Sequence, residues 1–124
     1  MPSRIRYIMA SKELIAASTV PLILSILTKG KSYGYLIIKS IRELSDGNLE
    51  WSEAMLYPVL HRMERNGLIQ SEWIAPERGK KRKYYAITEE GKAVLHEKQK
   101  EWLNVHNVFL SLWITNSNPK TNLS

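Results

Sequence analysis

Residues 68–88 constrain the fold more than any other segment, because their pattern fits a single compact structure. Two runs rich in aromatic and β-branched residues, LIQSEWIA and KYYAIT, flank the polar linker PERGKKR. This arrangement predicts a β-hairpin. Five cations occupy the six positions 78–83 near its tip. They repel one another unless an anion neutralises them, so the tip is either an anion-binding surface or a merely solvated charge run.

Two helices are predicted at the start of the chain. The first covers roughly residues 11–28, and Pro21 within it indicates either a kink or a continuous part that begins near Ser18. The second begins with Ser32 as its N-cap and ends at Leu44, before the turn signal Asp46-Gly47. Its expected core residues are Ile37, Ile38, Ile41 and Leu44.

A third helix precedes the hairpin and has the clearest boundaries. Ser52 is the expected N-cap, Trp51 can pack on Leu56 as a hydrophobic staple, and Asn66-Gly67 ends the helix. Helical spacing predicts a buried stripe of Leu56, Val59, Leu60 and Met63. The opposite face carries side chains suited to donating hydrogen bonds, namely His61 and Arg65 with Tyr57 and Arg62 beside them, together with Ala54 and Pro58.

A long helix follows the hairpin, with Thr88 as its N-cap and acidic residues in its first turn. Large apolar residues recur along it with a heptad spacing that continues beyond what a small core can cover, which predicts a partner helix. The expected dimer interface consists of Leu95, Trp102, Val105, Phe109 and Leu112. The helix is expected to end near Ile114, and residues 115–124 are polar and predicted to be disordered.

Charge and residue types exclude several classes of protein. The net charge of +6 implies an anionic partner, most simply nucleic acid, although an anionic membrane surface would also fit. The uncharged run at 14–27 is shorter than the roughly 20 residues that span a bilayer, so a core helix is expected and no membrane partner. No cysteine is present, which suits the cytoplasm. No nucleophile with a base and no metal-ligand spacing is found, so we expect no catalytic, cofactor or metal site.

Three helices followed by a two-stranded wing is the order of a winged helix-turn-helix. We therefore expect a mainly α fold with a small β-hairpin wing and a long C-terminal dimerisation helix. Residues 1–87 would form the DNA-binding domain and residues 88–114 the dimerisation helix. In such a domain the third helix enters a major groove about 12 Å wide, while the wing reaches phosphates beside it.

Three motifs in the same order resemble the PadR family of bacterial transcriptional regulators: YGYLIIKSI at 33–41, LYPVLHRMERNGLI at 56–69 and KRKYYAITEEG at 81–91. The resemblance covers residues 14–109, and the single C-terminal helix is similar to the short subfamily that includes multidrug-responsive repressors. It implies a homodimer in which the last helix pairs with the partner and packs against the first helix. It also implies double-stranded DNA with a near-palindromic operator as the partner.

The resemblance also indicates which residues lie near DNA. It places Tyr33, Tyr57, Pro58, His61 and Arg62 there, with Arg78, Lys80, Lys81 and Arg82 on the wing. We add Lys31, Ser32, Glu53 and Ala54 as neighbours of these positions. Glu53 either stabilises the helix dipole or accepts from a cytosine amino group, and Pro58 either kinks the helix or contacts DNA. Tyr33 either donates to a phosphate or stacks on Tyr35 or the wing. Met55 departs from the family pattern, which leaves the base contacts open. Lys81 replaces the usual arginine, so it can neutralise a phosphate but lacks the bidentate fork.

Trp102 is the expected effector-binding residue. In a dimer its symmetry mate would lie nearby, and two indoles can sandwich a flat aromatic or cationic molecule, although packing of the dimer core would equally explain it. Ala16 and Ala17 are small enough to leave space beside it. A different class of function stays open as well, namely a winged-helix module that binds an acidic protein. That module could bury Tyr57 and His61, whereas base reading requires the third helix to be exposed.

Overall fold

The computed structural model describes residues 12–117 of the 124-residue chain. In chain order they form α1 (Lys12–Leu27), β1 (Ser32–Tyr33), α2 (Gly34–Leu44), α3 (Glu53–Arg65), β2 (Ile69–Ile74), β3 (Arg82–Ile87) and α4 (Glu89–Ser117). This mainly helical fold with a small antiparallel sheet confirms the predicted winged helix-turn-helix with its long last helix. Helix α4 continues three residues beyond the expected end, so residues 115–117 are helical. The rest of the predicted tail and residues 1–11 lie outside the described residues.

The sheet contains the predicted hairpin and one additional strand. Strands β2 and β3 pair antiparallel from Ile69 opposite Ile87 to Ile74 opposite Arg82. Strand β1 adds to the free edge of β3. The prediction of Ser32 as the N-cap of α2 is wrong, because the backbone of Ser32 pairs with Tyr85 in this ladder. The N-cap position falls to Tyr33, whose side chain forms no capping hydrogen bond.

The helices assemble around one apolar core. Helix α1 includes Pro21 within a single helical segment, so a start near Ser18 is not observed. The predicted stripe of α3 is buried as expected. The prediction that Leu44 is a core residue is wrong, since Leu44 is 76% exposed. Its neighbours 42–43 and 46–48 are exposed too, which means that the end of α2 projects beyond the core. The buried core consists of Ile23, Leu24, Leu27, Ile37, Ile41, Trp51, Leu56, Val59, Leu60, Met63, Ile69, Tyr85 and Leu95.

Local capping signals place α3 relative to the wing. The backbone N–H of Met55 donates to Ser52 Oγ at 3.1 Å, which confirms the predicted N-cap. The helix ends at Arg65 and the chain turns at Gly67, whose φ of +80° is a conformation that suits glycine. Strand β2 begins two residues later. The wing therefore follows α3 directly, and the two elements lie side by side.

Helix α4 is attached to the same turn. Thr88 Oγ1 accepts from the Gly91 N–H at 3.0 Å and donates to the Gly67 carbonyl at 2.6 Å, so one hydroxyl caps α4 and holds it to the end of α3. Helix α4 also packs against α1. No helix within residues 12–117 combines the length and apolar character needed to cross a lipid bilayer.

Candidate nucleic-acid interface

The outward face of α3 is open to solvent. Because the opposite stripe is buried in the core, the predicted DNA-facing residues Ala54, Pro58, His61 and Arg62 are exposed, as is Arg65. Glu53 is exposed in the first turn, where its carboxylate lies near the positive end of the helix dipole. Tyr57 is half-buried between this face and the start of α2. The face is therefore free to enter a groove of a nucleic acid.

The tip of the wing presents cations without internal partners. Arg78, Lys80, Lys81 and Arg82 are all exposed, and the chain reverses at Gly79 with a φ of +98°. Within the part of the chain that the structure describes, no carboxylate forms an ion pair with any of these four. Lys83, the fifth cation of the run, has its Nζ 3.9 Å from Glu64 Oε1. The tip charges are therefore available to an external anion.

Tyr33 joins the start of α2 to the wing. Its ring packs edge-on against Tyr84 with centroids 5.2 Å apart. The Arg82 guanidinium lies 4.6 Å from the ring centroid, and Arg82 Nη1 donates to the Tyr33 hydroxyl at 3.3 Å. Of the two predicted stacking partners, the wing is thus the one that the structure shows. The hydroxyl accepts in this contact, so its own O–H can still donate to a phosphate.

A groove of about 520 Å³ separates α3 from the wing. We call it the wing groove. Its lining comes from three parts of the chain: Tyr57 and His61 of α3, Trp73, Lys81, Arg82, Lys83 and Tyr85 of the wing, and Tyr33, Gly34 and Tyr35 around the start of α2. It thus combines aromatic rings with three cations, the pairing that proteins use to hold the sugar-phosphate strand and bases of nucleic acids.

Five of these lining residues were not among the predicted contacts, namely Gly34, Tyr35, Trp73, Lys83 and Tyr85. The signal for Trp73 was the period-two alternation of β2, because side chains at i and i+2 share one face of a strand. Ile69 is buried, which places Ser71 and Trp73 on the same face as Ile69. The alternation was readable in the sequence, whereas the position of α3 opposite this face was not.

Two phenols of the wing groove, Tyr57 and Tyr85, have raised pKa values and therefore remain protonated around neutral pH. Partial burial raises the pKa of Tyr57, and the nearby carboxylate of Glu53 raises it further. Burial also raises the pKa of Tyr85, with smaller contributions from Tyr57 and Glu64. A neutral phenol is both a donor and an acceptor, so Tyr57 can donate to an anionic oxygen.

Two predicted DNA contacts, Lys31 and Ser32, differ from the others in that the first is ion-paired and the second is buried. Lys31 Nζ lies 3.2 Å from Glu72 Oε1, so part of its charge is compensated on the wing. Ser32 is buried, and its Oγ has no hydrogen-bond partner among the described residues. This side chain is therefore not part of the exposed surface that the other predicted contacts form.

The predicted dimer and effector residues divide between core and surface. Leu95 is buried in the core of its own chain. Trp102 is 60% exposed and stacks on His106, with ring centroids 5.1 Å apart. Val105, Phe109 and Leu112 are exposed, as are Ala16 and Ala17 on α1. No group of three histidine, aspartate or glutamate residues within 12–117 could hold a metal ion.

Comparison with known proteins links this geometry to one family. The family described as "Transcriptional regulator PadR-like family" matches residues 23–97. The structure of a transcriptional regulator from Clostridium thermocellum is similar, with a TM-score of 0.73 and 37% identity over 81% of this chain and 97% of the other. A PadR family transcription regulator from hypervirulent Clostridium difficile has a TM-score of 0.69 and 38% identity over 77% of this chain and 98% of the other. The transcriptional regulator YqjI of Escherichia coli is 38% identical over 64% of this chain, which corresponds to 36% of its own length.

Proposed function

Because this chain belongs to the PadR-like family of transcriptional regulators, we propose that it acts in the cytoplasm as a homodimeric repressor that binds a near-palindromic operator in double-stranded DNA. The wing groove is the single observation that carries the proposal. It brings His61 of an exposed helix face and Arg82 of an exposed basic wing into one surface.

Each part of this surface has a role in binding a duplex. Helix α3 is narrow enough to enter the major groove with its exposed face toward the base edges, where His61 and Arg62 can hydrogen-bond. The phosphate strand that borders the major groove then runs along the wing groove. There the O–H of Tyr57 and the cations of the wing meet its anionic oxygens.

The unpaired tip charges make this binding depend on salt. Cations that neutralise phosphates release condensed counterions, and the logarithm of the binding constant then falls with the logarithm of salt concentration, by about 0.9 for each phosphate contact. Arg78, Lys80 and Lys81 have no ion-pair partner among the described residues, so binding an anion costs them no internal interaction.

The exposed apolar surface of α4 supports the proposed dimer. At about 100° per residue, Trp102, Phe109 and Trp113 share one direction, while other apolar residues lie on both sides of it. The flanking residues are Leu103, Val105, Val108, Leu110, Leu112 and Ile114. The apolar surface is wider than the narrow stripe that one partner helix covers in a coiled coil. We therefore propose that α4 contacts both α4 and α1 of a second copy.

A small molecule would act on this dimer by changing the separation of its two α3 helices. They must enter successive major grooves about 34 Å apart. A flat aromatic or cationic effector between Trp102 and its symmetry mate, with Ala16 and Ala17 nearby, would favour one separation over another. It can shift the equilibrium only by the difference in its affinity for the two arrangements.

The test is binding of the purified protein to the DNA upstream of its own coding sequence over a series of salt concentrations. A triple variant, Arg78→Ala, Lys80→Ala and Lys81→Ala, should flatten the salt dependence while it spares Arg82, which anchors Tyr33. The matched control removes Lys92, Lys98 and Lys100, which are exposed but ion-paired within α4. An affinity that does not change with ionic strength would exclude neutralisation of DNA phosphates by the wing. A wing variant that loses an acidic protein partner while it binds DNA normally would favour an interaction module instead.

A further inference from the structure

Trp73 is an exposed aromatic residue whose position the packing of the chain does not explain. It is 64% exposed, whereas Trp51 and Tyr85 are buried in the core. No other ring of the described residues stacks on it. An indole left in water forgoes the free energy of burial, so an occupant of the wing groove that covers it gains affinity.

The neighbours of Trp73 indicate what kind of occupant fits. Trp73 stands directly opposite Lys83 in the register of the hairpin, and both line the wing groove. Side chains at directly opposed positions lie on the same face and close together. His61 and Tyr57 form the opposite wall. The indole therefore lies between the hydrogen-bond donors on α3 and Lys83 of β3.

A sugar-phosphate strand alternates anionic phosphates with largely apolar deoxyriboses, which matches a groove that combines cations with an indole. We propose that Trp73 contacts the DNA backbone, with its indole packed against a deoxyribose of the strand whose phosphates are bound by Arg82 and Lys81. This inference rests on the proposed function, because it assumes that the wing groove holds duplex DNA. It assigns a contact that is apolar and independent of base sequence.

Such a contact would anchor the wing and would leave base reading to α3. Since an indole carries no charge, its loss releases no counterion and leaves the salt dependence of binding unchanged. Because every nucleotide has the same sugar, its loss weakens binding to every duplex equally. These two properties separate Trp73 from its cationic neighbours and from the base-reading residues.

The test compares Trp73→Thr and Trp73→Phe with the wild type. Threonine keeps the β propensity of the strand, and phenylalanine keeps an aromatic ring. Binding is measured by fluorescence anisotropy on the protein's own upstream DNA and on a shuffled duplex of equal length, at several salt concentrations. Thermal unfolding monitored by circular dichroism reports whether each variant is folded. Leu44→Ala, which removes an exposed apolar side chain outside the wing groove, is the matched control.

We expect Trp73→Thr to bind both duplexes about tenfold more weakly, with the salt slope of the wild type, and Trp73→Phe to lose less. An unchanged affinity of a folded Trp73→Thr would overturn the inference. So would a loss confined to one of the two duplexes, which would make Trp73 a base-reading residue, or a flattened salt slope. A wild-type protein that binds neither duplex would refute the proposed function itself, and this inference with it.

Discussion

Arg82 holds Tyr33 by two contacts at once: its guanidinium carbon lies 4.6 Å from the centre of the Tyr33 ring, and its Nη1 donates to the Tyr33 hydroxyl at 3.3 Å. The two residues are 49 positions apart in sequence. The pair fastens the first residue of β3 to the position just before α2. The orientation of the wing relative to the helices therefore depends on a residue that is also one of its cations.

Arg82→Lys should weaken DNA binding without changing its salt dependence. Lysine keeps the charge but lacks the planar fork that stacks on a ring and donates beside it. Loss of an exposed cation–π contact costs about 0.5–1 kcal/mol, so we expect a small fall in the melting temperature and a few-fold loss of affinity. Titration of duplex DNA at several salt concentrations measures the affinity and its salt dependence, and thermal unfolding measures the melting temperature. Lys80→Arg is the control, and an affinity of Arg82→Lys equal to the wild type would refute a role for the anchor.

Gly34→Ala should destabilise the fold by displacing Tyr57. Gly34 is buried at the start of α2, and a Cβ there would collide with the Tyr57 hydroxyl and approach its Cζ to 2.8 Å. Overpacking of this kind costs about 1–3 kcal/mol, although alanine is the better helix former. Urea unfolding gives the change in the free energy of unfolding.

A double variant tests the cause of that destabilisation. Tyr57→Phe removes the hydroxyl that the new Cβ meets first, so Gly34→Ala should cost less in a Tyr57→Phe background than in the wild type. The rescue should be partial because the ring carbon remains. Equal costs in the two backgrounds would show that the collision is relieved elsewhere.

Local signals made much of this fold predictable, and long-range pairing accounts for what was missed. The N-caps Ser52 and Thr88 and the stop at Gly67 depend on neighbours within a few residues, so the sequence alone contains them. The status of Ser32 depends on Tyr85, which lies more than 50 positions away and captures it in the sheet. No capping rule includes that competition, and the N-cap prediction failed there.

In the candidate site too, some features follow from the local sequence and others depend on long-range packing. The exposure of His61 and the basic tip of the wing could be predicted, because a helix with a buried stripe must expose its opposite face and a hairpin must expose its turn. The wing groove could not, since it exists only where α3 meets the strand that carries Trp73. Leu95 shares the heptad of Trp102 but lies where α4 still covers its own core, so periodicity alone could not tell intramolecular from intermolecular burial.

Stability should fall as the pH rises above about 10, and Tyr85→Phe should reduce the fall. Burial raises the pKa of Tyr85 above its usual value of 10.0, so the folded state favours the neutral phenol. A group whose pKa is raised by folding contributes stability that is fully present below its unfolded pKa and is lost as the pH rises through the folded pKa. Urea unfolding at pH 8 to 11.5 measures the slope.

The control for that slope is Tyr35→Phe, because Tyr35 is 63% exposed. Both variants keep all the lysines and lose one phenol each, so the difference between them isolates the effect of burying the phenol. A Tyr85→Phe protein whose stability falls with pH as steeply as that of Tyr35→Phe would contradict the assignment. Removal of a buried hydroxyl also changes stability at pH 8, and only the slope is compared.

Phe109→Asp should abolish self-association while the winged helix-turn-helix remains folded. Phe109 is 46% exposed and stacks on Trp113 with centroids 5.2 Å apart, in the middle of the apolar surface of α4. A carboxylate buried at a helix–helix interface without a partner is strongly destabilising, so a dimer held by this surface should dissociate. Light scattering coupled to size exclusion gives the mass, and circular dichroism confirms that the helices persist. Leu44→Asp places the same charge on an exposed site of α2 and should leave the mass of the assembly unchanged. A wild-type protein that is monomeric at the concentrations needed for DNA binding, or a Phe109→Asp protein that still dimerises, would require a different interface.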